Sequence, residues 1–407
     1  MSPGEAMRVL IIVENLPVPF DRRVWQEAQT LHANGCEVFV ICPKGTTAHT
    51  EAYEVLNGIH IYRHPLPHEA SGALGFLLEY ATAIFWERKL ARAIYRKHGF
   101  DVIHICNPPD LIYLVAKRYK RKHGVKIIFD HHDINPELYI AKFGREDFFY
   151  RLLLAAEAKT FALADHCIAT NESYREIAIT RGRRSPADVT VIRSGPSLER
   201  LYDVPPDDSL RGGKKHLITY LGVIGRQEGI RYLVEASRIM KFEMGRSDFR
   251  VLVMGSGPDL QNAIEAARER DVDDVVTFAG RVSDEYLRTA LSTADVCVNP
   301  DEYNEMNDKS TMNKVMEYMA MGKPIVQFDL TEGRYSAQEA SLYARPNDAR
   351  DFAEKIVGLL DDPAQRRSMG DFGKKRVQRD LNWVHEAPKL VEVYERLGLA
   401  SVSRGRH

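Results

Sequence analysis

Short apolar runs that alternate with helix-length amphipathic segments constrain the fold of this chain more than any other feature. The runs are rich in Val and Ile, and most are continuous rather than alternating with polar residues. Continuous runs of this kind indicate parallel strands whose sheet is covered by helices on both faces. We predict strands at residues 8–13, 37–42, 58–64, 101–106, 126–130, 166–170, 189–195, 216–222, 250–255, 275–280, 295–300 and 324–329.

The series is interrupted at residues 196–215, PSLERLYDVPPDDSLRGGKK, which has the composition of an interdomain linker. A chain of 407 residues is long enough for two domains, each with its own core. We therefore predict an α/β protein of two doubly wound, Rossmann-like domains, residues 1–198 and 199–382. Because such sheets bind ligands at the carboxyl ends of their strands, we expect an active site in a central cleft that both domains face.

Charge and cysteine usage exclude several classes of protein. The net charge is -1, whereas a general nucleic-acid binder is strongly basic, so we expect no nucleic-acid partner. The five cysteines lie mostly within the apolar runs and lack paired metal-type spacing, which favours buried thiols in a reducing compartment. The N-terminal segment enters a strand directly and has no signal-peptide cleavage site, so we expect a cytoplasmic protein.

The segment from Asn299 to Asp329 has the pattern of a nucleotide site. It reads as a strand, a polar loop, a helix that begins near Ser310 with that residue as N-cap, and a second strand. A helix N-terminus binds phosphate, and Lys309 adds a full positive charge beside it. Glu317, two turns into the helix, has a carboxylate that would accept both ribose hydroxyls. The alternative is an ordinary capped helix with solvated charges.

Glycine-containing turns follow other predicted strands of the second half. Gly222, Gly225 and Gly229 lie between a strand and a helix in YLGVIGRQEGIRYLVEA, where they allow the backbone to approach a ligand closely. Arg226 lies in the same turn. Arg281 and Val282 follow the strand at residues 275–280, where a routine strand-end turn is the alternative.

KVMEYMAMGKPIV and GVIGRQEG resemble segments of the retaining glycosyltransferases of family 4, which have the GT-B fold, and in particular bacterial polysaccharide and lipopolysaccharide enzymes. In that family two Glu residues stand eight positions apart. Glu317 takes the second position and Lys309 the first. Val223 and Glu228 stand where the family has an Arg and a Lys that neutralise the donor diphosphate. The resemblance thus implies that Arg226 and Lys309 supply this charge instead.

The resemblance also implies roles for individual residues. It identifies His132, Glu317, Lys309 and Arg226 as the catalytic set. It implies that the donor is bound by Gly225, Arg281, Val282, Asn307, Ser310, Thr311, Met312 and Glu317.

In the first half, polar segments follow the predicted strands at residues 101–106 and 126–130. By resemblance, His132 lies near the reacting sugar carbon, with Asp133 and Glu137 on the acceptor side. Arg22 or Arg23 in FDRRVW would face an acceptor phosphate, the alternative being a solvated helix residue. His131, His132 and Asp133 lack a further His or Cys at ligand spacing, so we predict no metal.

Two cationic stretches predict contact with an anionic membrane. Residues 72–97 combine an aromatic, apolar half with a basic half, and residues 117–126 are a concentrated basic run. A core helix with solvated lysines is the alternative. The resemblance implies a lipid-linked or glycan acceptor, such as a polyprenyl-diphosphate-linked sugar, and a peripheral position at the inner face of a bacterial membrane. It also implies that the C-terminal helix, about residues 383–407, packs back on the first domain.

The sequence therefore predicts a retaining transferase that uses a nucleotide sugar and needs neither a metal nor a cofactor. The frequency of donors within the family favours a UDP-sugar. Two alternatives stay open. One is a nucleotide-sugar epimerase or hydrolase on the same fold, and the other is a catalytically silent nucleotide-binding partner of another transferase.

Overall fold

The chain forms two compact units. The computed structural model describes residues 6–45, 48–65, 73–196 and 198–398, with only the backbone of residues 73–80. The first unit, here domain 1, holds the chain up to Ser194 and the segment that starts at Val384; the second, domain 2, is Gly195–Trp383. Each domain is built around one sheet.

Domain 1 contains an eight-stranded sheet in the order β3-β4-β2-β1-β5-β6-β7-β8. Its strands are β1 (Arg8–Val13), β2 (Glu37–Pro43), β3 (Tyr53–Leu56), β4 (Ile59–His64), β5 (Val102–Cys106), β6 (Lys126–His131), β7 (His166–Ala169) and β8 (Val189–Val191). All neighbours are parallel except β3 and β4. Strand β3 was not predicted, and the strand predicted at 189–195 ends at Val191.

Six helices connect these strands. They are α1 (Arg22–Ala33), α2 (Ala73–Lys97), α3 (Tyr113–His123), α4 (Asn135–Phe143), α5 (Phe148–Leu163) and α6 (Glu172–Thr180). Helix α1 begins where the side chain of Asp21 accepts a hydrogen bond from the Val24 N–H at 3.1 Å, which satisfies one of the unpaired groups of its first turn.

Domain 2 contains a six-stranded, fully parallel sheet in the order β11-β10-β9-β12-β13-β14. Its strands are β9 (His216–Leu221), β10 (Phe249–Met254), β11 (Val276–Gly280), β12 (Val296–Asn299), β13 (Ile325–Phe328) and β14 (Ser341–Ala344). Its helices are α7 (Ile230–Arg238), α8 (Leu260–Glu269), α9 (Asp284–Thr293), α10 (Glu305–Lys309), α11 (Asn313–Ala320), α12 (Thr331–Ala337), α13 (Ala349–Asp361) and α14 (Pro363–Arg376). Strand β14 was not predicted.

Both sheets are buried on both faces, which explains the continuous apolar runs. Residues 9–12 of β1 are fully buried. In domain 2, one apolar cluster contains Phe249 and Phe352, and a separate cluster contains Leu217 and Tyr318. Since neighbouring residues of a strand point to opposite faces, a strand between two helical layers must be apolar throughout. The predicted α/β class with two doubly wound domains is confirmed.

The last described helix, α15 (Trp383–Arg396), lies largely within domain 1. Its Tyr394 is fully buried, and the Tyr394 hydroxyl lies 2.9 Å from Nδ1 of His104 in the centre of the sheet. Among the described residues, no helix combines the length and apolar composition required to cross a bilayer. In the predicted membrane-contact segment, the side chains of residues 72–80 lie outside the described part of the chain.

Candidate active site

Two glycine turns in domain 2 approach each other at the carboxyl edge of its sheet. Gly222 follows β9 with a φ of 151°, and Gly255 follows β10 with a φ of 150°. A Cβ added to Gly255 would lie 1.7 Å from the carbonyl oxygen of Gly222, so a side chain there would collide with backbone. The amide of Ile224 donates to the Ser256 carbonyl at 3.1 Å and joins the two turns further. The strand ends therefore form a floor of exposed backbone that a ligand can approach closely.

Lys314 lies beside this floor, although the sequence assigned no role to it. Its Nζ donates to Asp301 Oδ1 at 2.8 Å and to the hydroxyl of Tyr220 at 3.3 Å, and it lies 3.4 Å from the position that a Cβ on Gly222 would occupy. Its side chain is 11% exposed and that of Asp301 is 1% exposed. Burial raises the pKa of Asp301, an effect that the charge of Lys314 opposes. A partly buried cation thus faces the glycine turn with its charge weakly screened by solvent.

The prediction that Ser310 caps the helix start is wrong. Helix α10 ends at Lys309, and the Ser310 hydroxyl donates back to the carbonyl of Met306 at 2.7 Å. The predicted polar loop is itself mostly this helix, capped by Asn304, whose side chain accepts from the Asn307 N–H at 2.9 Å.

Helix α11 begins at Asn313, and its N-cap residue, Met312, makes no side-chain capping bond. Met312 therefore offers no side-chain acceptor to the first N–H groups of α11, which suits an anionic ligand. Lys314 belongs to the first turn of the same helix.

Glu317 is paired with Arg200, a residue of the predicted linker. Arg200 Nη2 lies 3.4 Å from Glu317 Oε1, and Arg200 Nε lies 3.3 Å from Asp284 Oδ2. The side chains of Arg200 and Glu317 are 15% and 12% exposed. The guanidinium and the carboxylate thus form a mostly buried ion pair in which the carboxylate accepts the hydrogen bond. Arg200 was missed because no local pattern distinguishes it from a solvated linker residue.

The turns that contain Arg226 and Lys309 are held together by Asn307. Its amide nitrogen donates to the Gln227 carbonyl at 2.9 Å and to the Glu302 carbonyl at 2.8 Å, and the residue is 2% exposed. The side chain of Asn307 is thus occupied by the protein and positions the turn. Arg226 is exposed. Lys309 Nζ forms an ion pair with Glu305 of the same helix at 2.6 Å.

The other predicted donor-site residues also lie at this edge of the sheet. Gly225 is buried and its N–H donates to Glu228 Oε2 at 3.0 Å; burial raises the pKa of that carboxyl. Four further residues flank the same edge, two just after β11 and two between α10 and α11. Arg281 is exposed, Thr311 is half-buried, and Val282 and Met312 pack against one apolar cluster.

In domain 1, Asp130 is the centre of a buried ion network. Arg23 donates to both of its oxygens, at 3.0 and 2.9 Å, and His132 Nε2 lies 2.5 Å from Asp130 Oδ2. Burial alone would raise the pKa of Asp130, but Arg23 and His132 outweigh it and hold that pKa well below its usual range. The arrangement fixes the ring of His132, whose side chain is 14% exposed, against an ionised carboxylate.

Four buried side chains in this region have atoms that commonly bind metals. The ligand atoms of Glu27, His104, Cys106 and Asp130 lie within 4.8 Å of one another. Burial and the nearby Asp130 raise the pKa of Glu27, and burial raises the pKa of the Cys106 thiol well above its usual range, so both favour their protonated forms. The guanidinium of Arg23 lies 3.2 Å from Glu27 and already supplies the local positive charge. Because Arg23 already pairs with both Glu27 and Asp130, we assign no metal ion to this group.

Asn107 joins the two loops that carry the predicted acceptor-side residues. Its Oδ1 accepts from the N–H groups of His132 and Asp133 at 2.7 and 3.2 Å, and its Nδ2 donates to Asp110 Oδ1 at 3.0 Å. Asp133 is half-exposed beside His132, and burial raises its pKa. The structure therefore brings His132 and Asp133 together at the carboxyl ends of β5 and β6.

Two predicted acceptor-side residues lie inside domain 1. Arg23 is 8% exposed, and its donors are engaged by Asp130 and by the Ile192 carbonyl at 2.8 Å. Glu137 is 5% exposed and forms an ion pair with Arg181, which donates to Glu137 Oε2 at 3.2 Å. These bonds leave neither side chain directed at a solvent-borne acceptor, which corrects both assignments. Arg22 is exposed at the start of α1.

An apolar cavity of about 150 Å³ lies next to this region, between α4 and α5. Asp110 forms part of its wall, and Asn135, also in the wall, donates to Asp110 Oδ2 at 2.6 Å. Burial raises the pKa of Asp110 to about 6. The cavity is lined by Pro109, Asp110, Leu111, Asn135, Leu138, Tyr139, Lys142, Phe143, Arg145, Phe149, Leu152, Leu153 and Ala156.

Solved structures that also consist of two parallel-sheet domains identify the fold. Sucrose-phosphate synthase from Thermosynechococcus elongatus superimposes with a TM-score of 0.78 at 21% identity, covering 96% of this chain and 99% of that chain. Anabaena HepE in complex with UDP-glucose superimposes with a TM-score of 0.73 at 14% identity, covering 96% and 100%. The fold is that of the GT-B glycosyltransferases.

Family models specify the class further. Residues 21–200 match the model described as Glycosyltransferase Family 4, and residues 215–362 match the model described as Glycosyl transferases group 1. These two matches cover most of both domains, and the chain belongs to this glycosyltransferase family.

A curated relative is alpha-D-kanosaminyltransferase from Streptomyces kanamyceticus. It is 26% identical over 188 residues, which are 45% of this chain and 46% of that protein. The chain spans about half the length of the first curated relatives it matches.

Proposed function

We propose that this protein transfers a sugar from a nucleotide-diphosphate donor to a hydroxyl acceptor, with retention at the anomeric carbon. The observation that carries the proposal is the start of α11, where N–H groups without a side-chain cap, the Lys314 cation and Glu317 follow one another along the helix. This order of groups matches the order of diphosphate and ribose in a nucleotide sugar. The donor is a UDP-sugar, a proposal that the UDP-glucose complex of Anabaena HepE supports.

The diphosphate would bind against the glycine floor and the first turn of α11. Backbone N–H groups there donate hydrogen bonds, and Lys314 adds a charge 3.4 Å from the position of a Cβ on Gly222. Lys309 and Arg226 flank the floor and would add further positive charge. Glu317, positioned by its pairing with Arg200, would accept the hydrogen bonds of both ribose hydroxyls.

The same groups would stabilise the leaving diphosphate without a metal ion. Negative charge increases on the leaving group as the bond to the sugar breaks, so fixed donors aimed at that group lower the barrier. Removal of a single such donor commonly slows a reaction by about 10²-fold or more.

The acceptor would bind to domain 1 at the loops joined by Asn107. His132 is partly exposed and held by Asp130, and Asp133 is adjacent to it. His132 would contact the sugar near the reacting carbon, and Asp133 would bind the acceptor. Arg22, exposed at the start of α1, would contact an acceptor phosphate.

The acceptor is a lipid-linked glycan precursor, and its hydrocarbon chain would occupy the apolar cavity between α4 and α5. Two observations support this occupant. Lys142 and Arg145 line the cavity with positive charge suited to a lipid phosphate, and the Asp110 wall is joined through Asn107 to the backbone of His132 and Asp133. The protein would then act at the inner face of the membrane, as a peripheral protein of the cytoplasm.

The test of this function is turnover of UDP-sugars by purified protein, with and without a polyprenyl-diphosphate-linked acceptor, followed by NMR. We expect transfer only with acceptor, and a product with the donor's anomeric configuration. Glu317→Ala should abolish transfer while the protein stays folded, whereas Glu305→Ala, which removes an exposed carboxylate of α10, should keep most activity. Donor consumption without acceptor would indicate an epimerase or hydrolase. Donor binding without transfer to any acceptor of a panel would indicate a silent partner.

A further inference from the structure

A second cavity of domain 1, between α2 and α3, collects three arginines. It has a volume of about 280 Å³ and is lined by Arg88, Arg92, Leu114, Val115, Arg118 and Tyr119. Arg88 is anchored across the two helices, because its Nη2 donates to the Leu114 carbonyl at 3.4 Å. Among the described residues that line this cavity, none is acidic.

The helices around the cavity provide little negative charge. Helix α3 contains five Lys or Arg residues and neither Asp nor Glu, and between residues 81 and 97 of α2 the one acidic residue is Glu87. Glu87 is fully buried, and burial raises its pKa to about 8, so it is mostly protonated at neutral pH. The three arginines, all of them exposed, therefore line one cavity whose described wall contains no neutralising carboxylate.

Two of the three arginines, Arg92 and Arg118, act on the phenol of Tyr119, which also lines the cavity. Burial raises the pKa of Tyr119, and the charges of Arg118 and Arg92 oppose that rise, so cations from both helices act on the same side chain. Like charges held close together repel, and an anion bound between them removes that repulsion. Arginine presents a planar fork of N–H groups that matches the oxygens of a phosphate.

We propose that Arg88, Arg92 and Arg118 form a binding site for a phosphate or diphosphate group. The site is separate from the donor site of domain 2, and the proposal stands whether or not that site binds a nucleotide sugar. The phosphate belongs either to a lipid headgroup or to a free diphosphate, because both present the same oxygens.

The experiment compares two variants that lose equal charge from the same helices. The site variant is Arg88→Gln with Arg92→Gln and Arg118→Gln. The control is Lys97→Gln with Arg121→Gln and Lys122→Gln, which removes three exposed cations outside the cavity. Pyrophosphate binding is measured by calorimetry, and binding to phosphatidylglycerol vesicles, with phosphatidylcholine vesicles as reference, by co-sedimentation. Circular dichroism verifies that both variants are folded.

We expect the site variant to weaken at least one of these two interactions tenfold or more, and the control to weaken it less than threefold. If the site variant loses pyrophosphate binding, the ligand is a free diphosphate. If it loses only vesicle binding, the ligand is a lipid headgroup. Binding at a site elsewhere in the molecule would persist in both variants. Equal losses in the two variants, or wild-type protein that binds neither probe, would overturn the proposal.

Discussion

Two lysines five positions apart, Lys309 and Lys314, have different surroundings. Lys309 pairs with Glu305 within one short helix, and both side chains are substantially exposed. Lys314 is mostly buried, pairs with a buried aspartate and lies beside Gly222. Exposed ion pairs are screened by water and salt, whereas a buried charge keeps its strength. Burial therefore makes Lys314 the stronger candidate for a contact with a diphosphate.

This contrast predicts the effect of removing each ion pair with its partner. Lys314→Met combined with Asp301→Asn should weaken UDP binding at least tenfold, because a charge-assisted hydrogen bond contributes about 1.5–3 kcal/mol. Neutralising both partners avoids leaving an uncompensated buried charge. UDP affinity is measured by calorimetry, with thermal unfolding as the check on the fold.

The matched control for that variant is Lys309→Met with Glu305→Gln, which removes an exposed pair from the neighbouring helix. It should change UDP affinity by about threefold or less, as expected for a screened surface charge. If the Lys309 variant lost as much affinity as the Lys314 variant, or more, the assignment of Lys314 would be wrong.

Local pattern was enough to propose the candidate-site residues that contribute backbone or stand on a helix face. Glu317 and the glycine turn were proposed in this way, because helical spacing and strand ends are visible in the sequence. Arg200 and Lys314 were missed as site residues because their partners Glu317 and Asp301 are 117 and 13 positions away, pairings that only the fold determines. Arg23 and Glu137 were assigned to the surface for the same reason, since Asp130 and Arg181 lie 107 and 44 positions away.

We predict that the buried carboxyl of Glu87 makes the free energy of unfolding depend on pH. Neither of its oxygens has a hydrogen-bond partner among the described residues, and burial raises its pKa from the ordinary value of 4.5 to about 8. Because the folded protein holds this proton more tightly than the unfolded chain, the contribution of Glu87 is fully present below about pH 4.5 and is lost as the pH rises to about 8. The loss has a slope of up to about 1.4 kcal/mol per pH unit.

The variant Glu87→Gln keeps the neutral shape and removes the titration. Relative to wild type, its free energy of unfolding should rise between pH 5 and pH 8, as measured by urea denaturation at several pH values. Glu176→Gln, at an exposed position of α6, is the matched control and should show no such trend. A difference between Glu87→Gln and wild type that stays constant with pH would contradict the account.

At the scale of elements, the turn between α10 and α11 determines the candidate donor site. The sequence contains two good capping residues here, Asn304 and Ser310, and the chain uses Asn304 to start α10 and Ser310 to end it. Local chemistry did not distinguish these uses, because a serine hydroxyl can accept from a following N–H or donate to a preceding carbonyl. As a result, α11 starts three residues later than predicted and without a side-chain cap.

Two edge strands also could not be predicted from local sequence. Strand β3 lies antiparallel at the edge of its sheet and has alternating exposure, and β14, of sequence SLYA, is short and half polar. A prediction based on continuous apolar runs finds strands buried on both faces and misses these two. The central strands that position the candidate site were all found.

A prediction about the acceptor concerns the cavity between helices α4 and α5. Leu152 is 42% exposed and lines the apolar cavity, so Leu152→Asp should be tolerated by the fold while it disfavours a hydrocarbon chain in the cavity. We expect the KM for a polyprenyl-linked acceptor to rise at least tenfold, with unchanged UDP affinity.

Phe242→Asp is the control for this variant, because Phe242 is an exposed apolar residue of domain 2, at 54% against 42% for Leu152, and does not line the cavity. It should leave the KM for the acceptor unchanged. Equal KM values for all three proteins would exclude this cavity as the site of the hydrocarbon chain.

At the scale of the whole molecule, both domains place their candidate site residues at the same part of the sheet. In each domain, the predicted site residues that reach the surface cluster at the carboxyl ends of parallel strands, where glycine turns, helix starts and strand-end side chains meet. The two-domain α/β class was predictable because the apolar pattern repeats throughout the chain. The sugar, the acceptor and the partners of the buried charges were not predictable, since each depends on side chains that converge from distant segments.

The central claim is that the diphosphate of a nucleotide sugar binds at the start of α11. The most direct measurement is a crystal structure of the protein soaked with UDP. The account predicts a diphosphate within hydrogen-bond distance of the N–H groups of Asn313 or Lys314 and of Lys314 Nζ, with the ribose hydroxyls at Glu317. UDP bound elsewhere, or an empty site at saturating UDP with Lys314 still bonded only to Asp301 and Tyr220, would contradict it.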